Sequence, residues 1–197
     1  MINVNQINIE RRILHILIGI ILLLLIIFNL LSPLHLFFLL ILSGTLSLIS
    51  LKYKIPIVNF FLERFEGKEI DLPGKAFLLF MAGILLTLKL FPKNIALASI
   101  IILVFSDPIS HIVGKTLGRT KYFLDKRKNI EGHIAGFIVG SLLAMFFVSP
   151  LLAIAGSLVA MLFESIIIEV QETQLDDNLI IPLAAGTTMF LVFRFLM

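Results

Sequence analysis

Long runs of apolar residues, several close to the length that crosses a bilayer, constrain this chain more than any other feature. The first is nearly unbroken from Ile13 to Phe28 and continues with Leu30 and Leu31. A helix rises about 1.5 Å per residue and the hydrocarbon core is about 30 Å thick, so a spanning helix needs about 20 such residues. The same pattern recurs, giving spans at about 13–31, 34–51, 76–91, 94–114, 134–148, 151–168 and 179–197. The third and fifth are short, and either gain length from flanking residues or are shielded inside the bundle. The runs are continuous rather than alternating, which excludes a membrane barrel. The first is too long for the apolar part of a cleaved signal peptide, and no small-residue cleavage site follows it. The predicted fold is therefore all-α: one integral membrane domain over 1–197, a bundle of about seven spans.

Composition agrees. Apolar residues make up 59% of the chain and charged residues only 15%, too few to clothe a water-soluble surface. There is no cysteine, which excludes disulfides and thiolate metal sites.

The distribution of charge sets the predicted orientation. Arg11 and Arg12, the 52–75 loop and the 115–133 loop together hold 13 of the 16 Lys and Arg residues. With seven spans all three regions fall on one side, which the positive-inside rule makes cytoplasmic, N-terminus included. Of the 13 acidic residues, 11 lie on that same side and the other two, Asp107 and Glu164, fall inside spans. A face this rich in ionisable groups suits a polar, charged substrate from the cytosol.

Candidate chemistry gathers there. Asp107, beside Pro108 in the fourth span, is costly in a membrane and a functional candidate for that reason. Pro108 predicts a kinked or broken helix with polar backbone facing a cavity. Asp107, Ser110, His111, Gly114 and Gly118 recur at helical spacing and share a small, polar face; the alternative is a polar cluster that glues helices together. Lys115 and Arg119 follow, then Lys126, Arg127 and Lys128. Six basic residues over 115–128 suit either a polyphosphate or an anionic lipid surface. Glu131, Gly132 and His133 come next. Gly132, Gly136, Gly140 and Ala144 fall four apart, a small-residue stripe for close helix packing. Glu164 shares a face with Ala153, Ser157 and Ala160, so it points inward. Asp176, Asp177 and Asn178 open the last span, either as caps or as cation ligands. His15 shares a face with Arg11 and Arg12, which read equally as snorkelling arginines. The segment 60–66 is amphipathic and reads as a lid or a plain surface helix. No Walker loop, zinc-protease motif, serine elbow or dinucleotide fingerprint is present.

These pieces resemble the CTP-dependent polyprenol kinase family of dolichol and phytol kinases, which includes a CTP-dependent diacylglycerol kinase. The resemblance runs over most of the chain: Glu10-Arg11-Arg12-Ile13-Leu14-His15; Asp107-Pro108; Gly114-Lys115 and Gly118-Arg119; Lys128-Asn129-Ile130-Glu131-Gly132; Glu164; and Asp177-Asn178-Leu179-Ile180-Ile181-Pro182. The family has glycine before the aspartate and small alanines after it. Here Ser106, Pro108, Ser110 and His111 stand in those places. The resemblance implies transfer of the γ-phosphate of CTP to a lipid alcohol such as dolichol, phytol or geranylgeraniol. It implies magnesium held by Asp107, Glu131 and Asp177, and nucleotide contacts from Lys115, Arg119, Lys128 and Asn178. Asp107, Glu131, Glu164 and His15 are the catalytic candidates, with Glu164, Asp107 or His15 taking the hydroxyl proton. The partners implied are a nucleotide, a lipid alcohol and the bilayer, not nucleic acid, with the site facing the cytoplasm of a prokaryotic plasma membrane.

Two rival readings stand beside this one. Glu131-Gly132-His133 is similar to a block in CDP-lipid synthases, but the acidic continuation of that block is missing. A small transporter or adaptor would account for Asp107 and Glu164 as an ion path, but not for the collection of charge on one face, and no inverted repeat is evident.

Overall fold

The computed structural model of the chain describes residues 4–53, 74–121, 128–165, 169–170, 173–174 and 176–196. Seven α-helices occur among the described residues. The first, α1 (Val4–Ile27), ends where Asn29 enters the left-handed region at φ 57°, a conformation asparagine tolerates better than most residues. The amides of Leu30 and Leu31 both return to the Leu25 carbonyl. Ser32 then caps α2 (Pro33–Lys52): its side chain accepts from the His35 amide, the His35 side chain answers the Ser32 amide, and Pro33 opens the helix, where a missing N–H costs nothing.

The remaining helices are α3 (Lys75–Leu90), α4 (Lys93–Thr116), α5 (Ile130–Ala144), α6 (Pro150–Ser165) and α7 (Asp177–Leu196). Each overlaps one of the seven runs read from sequence. Three of them, α2, α4 and α7, are long and apolar enough to cross a membrane. The one departure from an all-helical reading among the described residues is a two-stranded ribbon, β1 (Glu169–Val170) antiparallel to β2 (Thr173–Gln174), between α6 and α7.

Helix α4 is the axis of the bundle and packs against α1, α3, α5, α6 and α7, whereas α2 packs on α3 alone among the described elements. Burial follows: 78% of the apolar window of α4 is buried but only 17% of that of α2. Ile100, Ile102, Leu103 and Val104 of α4 lie in the core with Phe80 and Ile84 of α3 and Met189 of α7. Helices in lipid gain little from the hydrophobic effect and associate through close packing instead, for which small residues are suited. The stripe Gly132, Gly136, Gly140 and Ala144 does this between α5 and α4: a Cβ at Gly132 would sit 2.3 Å from the Ser110 carbonyl oxygen, and one at Gly136 2.7 Å from that of Ser106. Some buried hydroxyls are satisfied within their own helices, as in Thr87 to the Gly83 carbonyl at 2.6 Å and Ser99 to the Ile95 carbonyl at 2.8 Å, and Ser157 donates across to the Phe137 carbonyl at 3.0 Å. Helix α4 runs on through Pro108 to Thr116. The break considered at that proline is not present, because neighbouring helices enclose the segment.

Candidate active site

The polar face of α4 meets the ends of four other helices. Asp107 is almost wholly buried. Arg12, reaching in from α1, donates to its Oδ2 at 2.5 Å, and His111 Nδ1, one turn along α4, lies 3.5 Å from its Oδ1. A buried carboxylate persists only when paired in this way.

Glu164, at the last turn of α6, is 1% exposed. Lys128 Nζ lies 2.8 Å from its Oε1 and also donates to its backbone carbonyl, while His133 Nε2 lies 2.7 Å from its Oε2. The other ring nitrogen of His133 is 3.1 Å from the Asn129 carbonyl. Lys128 extends the group to α7, 3.8 Å from Asp177 Oδ2. Asp107 and Glu164 therefore belong to one constellation: ligand atoms of Asp107, His111 and Glu164 all lie within 4.8 Å of one another.

Above them opens a cleft of about 430 Å³. Lys115, Lys121 and Lys128 supply cations to its wall, joined by His111 and by the buried His133 and Glu164. Lys115 and Lys121 are exposed and form no ion pair among the described residues.

Backbone interactions shape the rim. Glu131 Oε1 accepts the amides of Arg119 at 3.1 Å and Thr120 at 2.9 Å. Ile130 donates to the Thr120 carbonyl at 3.0 Å, and Lys121 bridges Asn129 in antiparallel fashion. The Asn129 side chain donates to the Gly114 carbonyl at 2.5 Å. Gly118 makes room for it, since a Cβ there would lie 2.4 Å from Asn129 Nδ2 and 2.1 Å from the Gly114 carbonyl oxygen. The two sides of the basic loop are thus pinned where they leave α4 and enter α5.

The structure brings together Asp107, Glu164, Lys128 and Asp177 of the residues selected from sequence, with Lys115 at the cleft wall. It places the others apart. Glu131 is engaged with the loop backbone, to which Arg119 contributes its amide while its side chain is exposed. Asn178 donates through its side chain to the Ala76 carbonyl at 3.4 Å, tying α7 to α3, and its amide donates to Asp176 at 2.9 Å. Burial raises the pKa of Asp176, just ahead of α7, from its ordinary value. His15 lies against Phe80, ring centroids 4.5 Å apart, outside the ion pairs. Sequence reasoning counted Lys121 only within the basic run over 115–128 and gave no role to the pairings of Arg12 and His133. Only the helical spacing of Asp107 and His111 was open to it. The amphipathic segment 60–66 and the basic pair Lys126-Arg127 lie outside the described residues.

The chain is similar to CTP-dependent diacylglycerol kinase 1 of Schizosaccharomyces pombe, 25% identical over 130 residues. The alignment covers 57% of this chain and 58% of that protein, so the chain spans somewhat over half the length of the relative it matches. No family model and no solved structure matches the chain.

Proposed function

We propose that this protein is a membrane lipid kinase that transfers the γ-phosphate of CTP to the hydroxyl of a lipid alcohol. The observation that carries the reading is the cation-walled cleft over Asp107 and Glu164 at one end of an apolar helix bundle. The similarity to a CTP-dependent lipid kinase supports it and supplies the nucleotide. Phosphoryl transfer asks a protein for charge neutralisation and in-line positioning more than for covalent participation. Lys115 and Lys121 approach the triphosphate as mobile cations, whereas Lys128, fastened by Glu164 and Asp177, is a fixed one.

The donor set fits magnesium. Asp107 Oδ1 is buried and has no hydrogen-bond partner among the described residues. Two carboxylates plus phosphate oxygens make an environment that a small hard cation accepts. Asp107 and Glu164 would hold the ion, with His111 beside them. The chemistry a magnesium ion would supply there is neutralisation of the charge that develops on the phosphoryl group. On this assignment Glu131 positions the loop and Asp177 positions Lys128, in place of ligating metal. Glu164 is held by Lys128 and His133 and Asp107 by Arg12 and His111; of the two, Asp107 is assigned the hydroxyl proton because its Oδ1 has no hydrogen-bond partner among the described residues. The acceptor class is a lipid alcohol, with a polyprenol suggested by the sequence resemblance and a diacylglycerol by the relative.

Purified protein in detergent, with magnesium and γ-labelled CTP, is offered phytol, geranylgeraniol, dolichol, diacylglycerol and phosphatidic acid in turn. Label in an organic-extractable phospholipid, with CDP released, is the expected result and identifies the acceptor. Pyrophosphate released with phosphatidic acid would replace the kinase by a CDP-lipid synthase. Neither product from folded protein would remove both enzymes.

A further inference from the structure

A second, smaller cleft of about 270 Å³ adjoins the first at His111 and is lined by Ile9, Arg11, Arg12, His111, Ile112 and Lys115. It shares His111 and Lys115 with the first cleft and none of the remaining lining residues. Its lining holds three basic side chains and no carboxylate. Arg12 links it directly to Asp107. Along α1, starting one residue beyond Arg12, Ile13, Leu17, Ile21 and Leu24 are each between 46% and 57% exposed. They recur at helical spacing, so they form one apolar strip leading away from the cleft along the bundle.

Resting on the kinase reading, we infer that this α1–α4 cleft is the acceptor port: it admits the lipid hydroxyl and holds the phosphorylated headgroup after transfer. In-line displacement needs the attacking and leaving oxygens on opposite sides of phosphorus. The two clefts meet at His111 and Lys115, and we take one as the approach of the nucleotide and the other as that of the alcohol. The alcohol oxygen bonds to the γ-phosphorus as the bond to the β-bridging oxygen of CTP breaks, CDP leaves through the larger cleft, and the hydroxyl proton goes to Asp107. The neutral alcohol becomes an anionic phosphate monoester, and Arg11, Arg12 and Lys115 are matched to that product by charge-assisted hydrogen bonds. The strip on α1 accommodates an alkyl or isoprenyl tail in the bilayer while the head is engaged.

The test compares full-length wild type with Arg11→Gln and Ile112→Trp in nanodiscs, using two readouts. The first is steady-state kinetics with the acceptor and CTP varied separately. The second, without nucleotide, is equilibrium binding of phosphatidic acid, with inorganic phosphate as competitor. Loss of one charged contact corresponds to about a tenfold weakening. The expected result is a rise of that order in the acceptor KM for both variants, CTP KM within about twofold, and phosphatidic acid binding weakened in parallel. Unchanged acceptor KM and unchanged lipid binding in folded Arg11→Gln would overturn the port, whatever happens to Ile112→Trp. Inorganic phosphate competing as strongly as phosphatidic acid itself would also overturn it, making the cleft a site for free anions. Wild-type protein that binds phosphatidic acid in this pattern but transfers no phosphate would sink the kinase reading and leave the cleft as a lipid-phosphate site.

Discussion

At the scale of single residues, buried charges and their partners dictate what substitution does. Asp107 accepts from Arg12, so Arg12→Ala leaves a carboxylate buried and unpaired, a change that costs about 3–5 kcal/mol for pairs of this kind. The expected outcome is a lowered thermal transition in detergent, whereas Asp107→Asn, which removes the charge and keeps the shape, should fold and lose at least about a hundredfold in kcat. Full activity in folded Asp107→Asn would end its assignment to the reaction. Glu131 presents a different case. Its oxygen engages the amides of Arg119 and Thr120, so Glu131→Ala should loosen the loop that carries Lys121 and Lys128. The expected signature is a higher KM for CTP with kcat largely retained; an equal fall in kcat and kcat/KM would instead return Glu131 to the reacting centre. These residues also show what sequence conceals. Asp107 and His111 stand four apart on one helix, and their common face is evident from spacing alone. Arg12 is 95 positions from Asp107, and no local pattern joins them. Glu131 and Asn178 look like ligands because their side chains are polar, yet their partners are backbone groups of Arg119, Thr120 and Ala76, which leave no trace in the identity of the residues that carry them.

Among the elements, the contact of α4 with α5 governs the site, because both clusters of charge hang from these two helices. The glycine stripe that makes the contact possible was visible as a four-residue repeat, since close approach requires small residues regardless of partner. Which helix it meets was not visible, and neither was the way Gly118 and Asn129 shape the loop. A side chain at Gly132 would run into the Ser110 carbonyl. Gly132→Val should therefore separate the helices at the level of the cleft, with overpacking of about 1–3 kcal/mol or more. The measurement is the detergent melting temperature together with CTP binding, and unchanged values for both would show that the pair is not tightly seated. The existence of the helices was legible because apolar runs report it directly, but not their bounds: α1 begins at Val4, ahead of the apolar run that opens at Ile13. The helix through Pro108 was not legible either, because tertiary enclosure rather than local propensity decides whether a proline breaks a helix.

For the whole molecule, Arg12, Asp107, Lys128, Glu164 and Asp177 converge at one end of the bundle, while Lys93 bonds Asn29 at 2.7 Å outside that cluster. If all seven helices cross the bilayer with the positive side inward, these two regions face different compartments. The chain has no cysteine, so single substitutions report cleanly. Asn94→Cys in sealed cells should react with an impermeant thiol reagent, and Thr116→Cys only after permeabilisation. Equal labelling of both without permeabilisation would overturn the orientation. The same view of the molecule singles out α2. It rests on α3 alone among the described elements and turns residues such as Phe37, Phe38, Leu42 and Leu48 outward. A helix with so few protein neighbours has to suit the surrounding lipid more than any partner. Natural variation should therefore accumulate there faster than in α4, and a foreign apolar segment of equal length should substitute for its outer face, making α2 the place to attach a reporter or a tether without disturbing the rest.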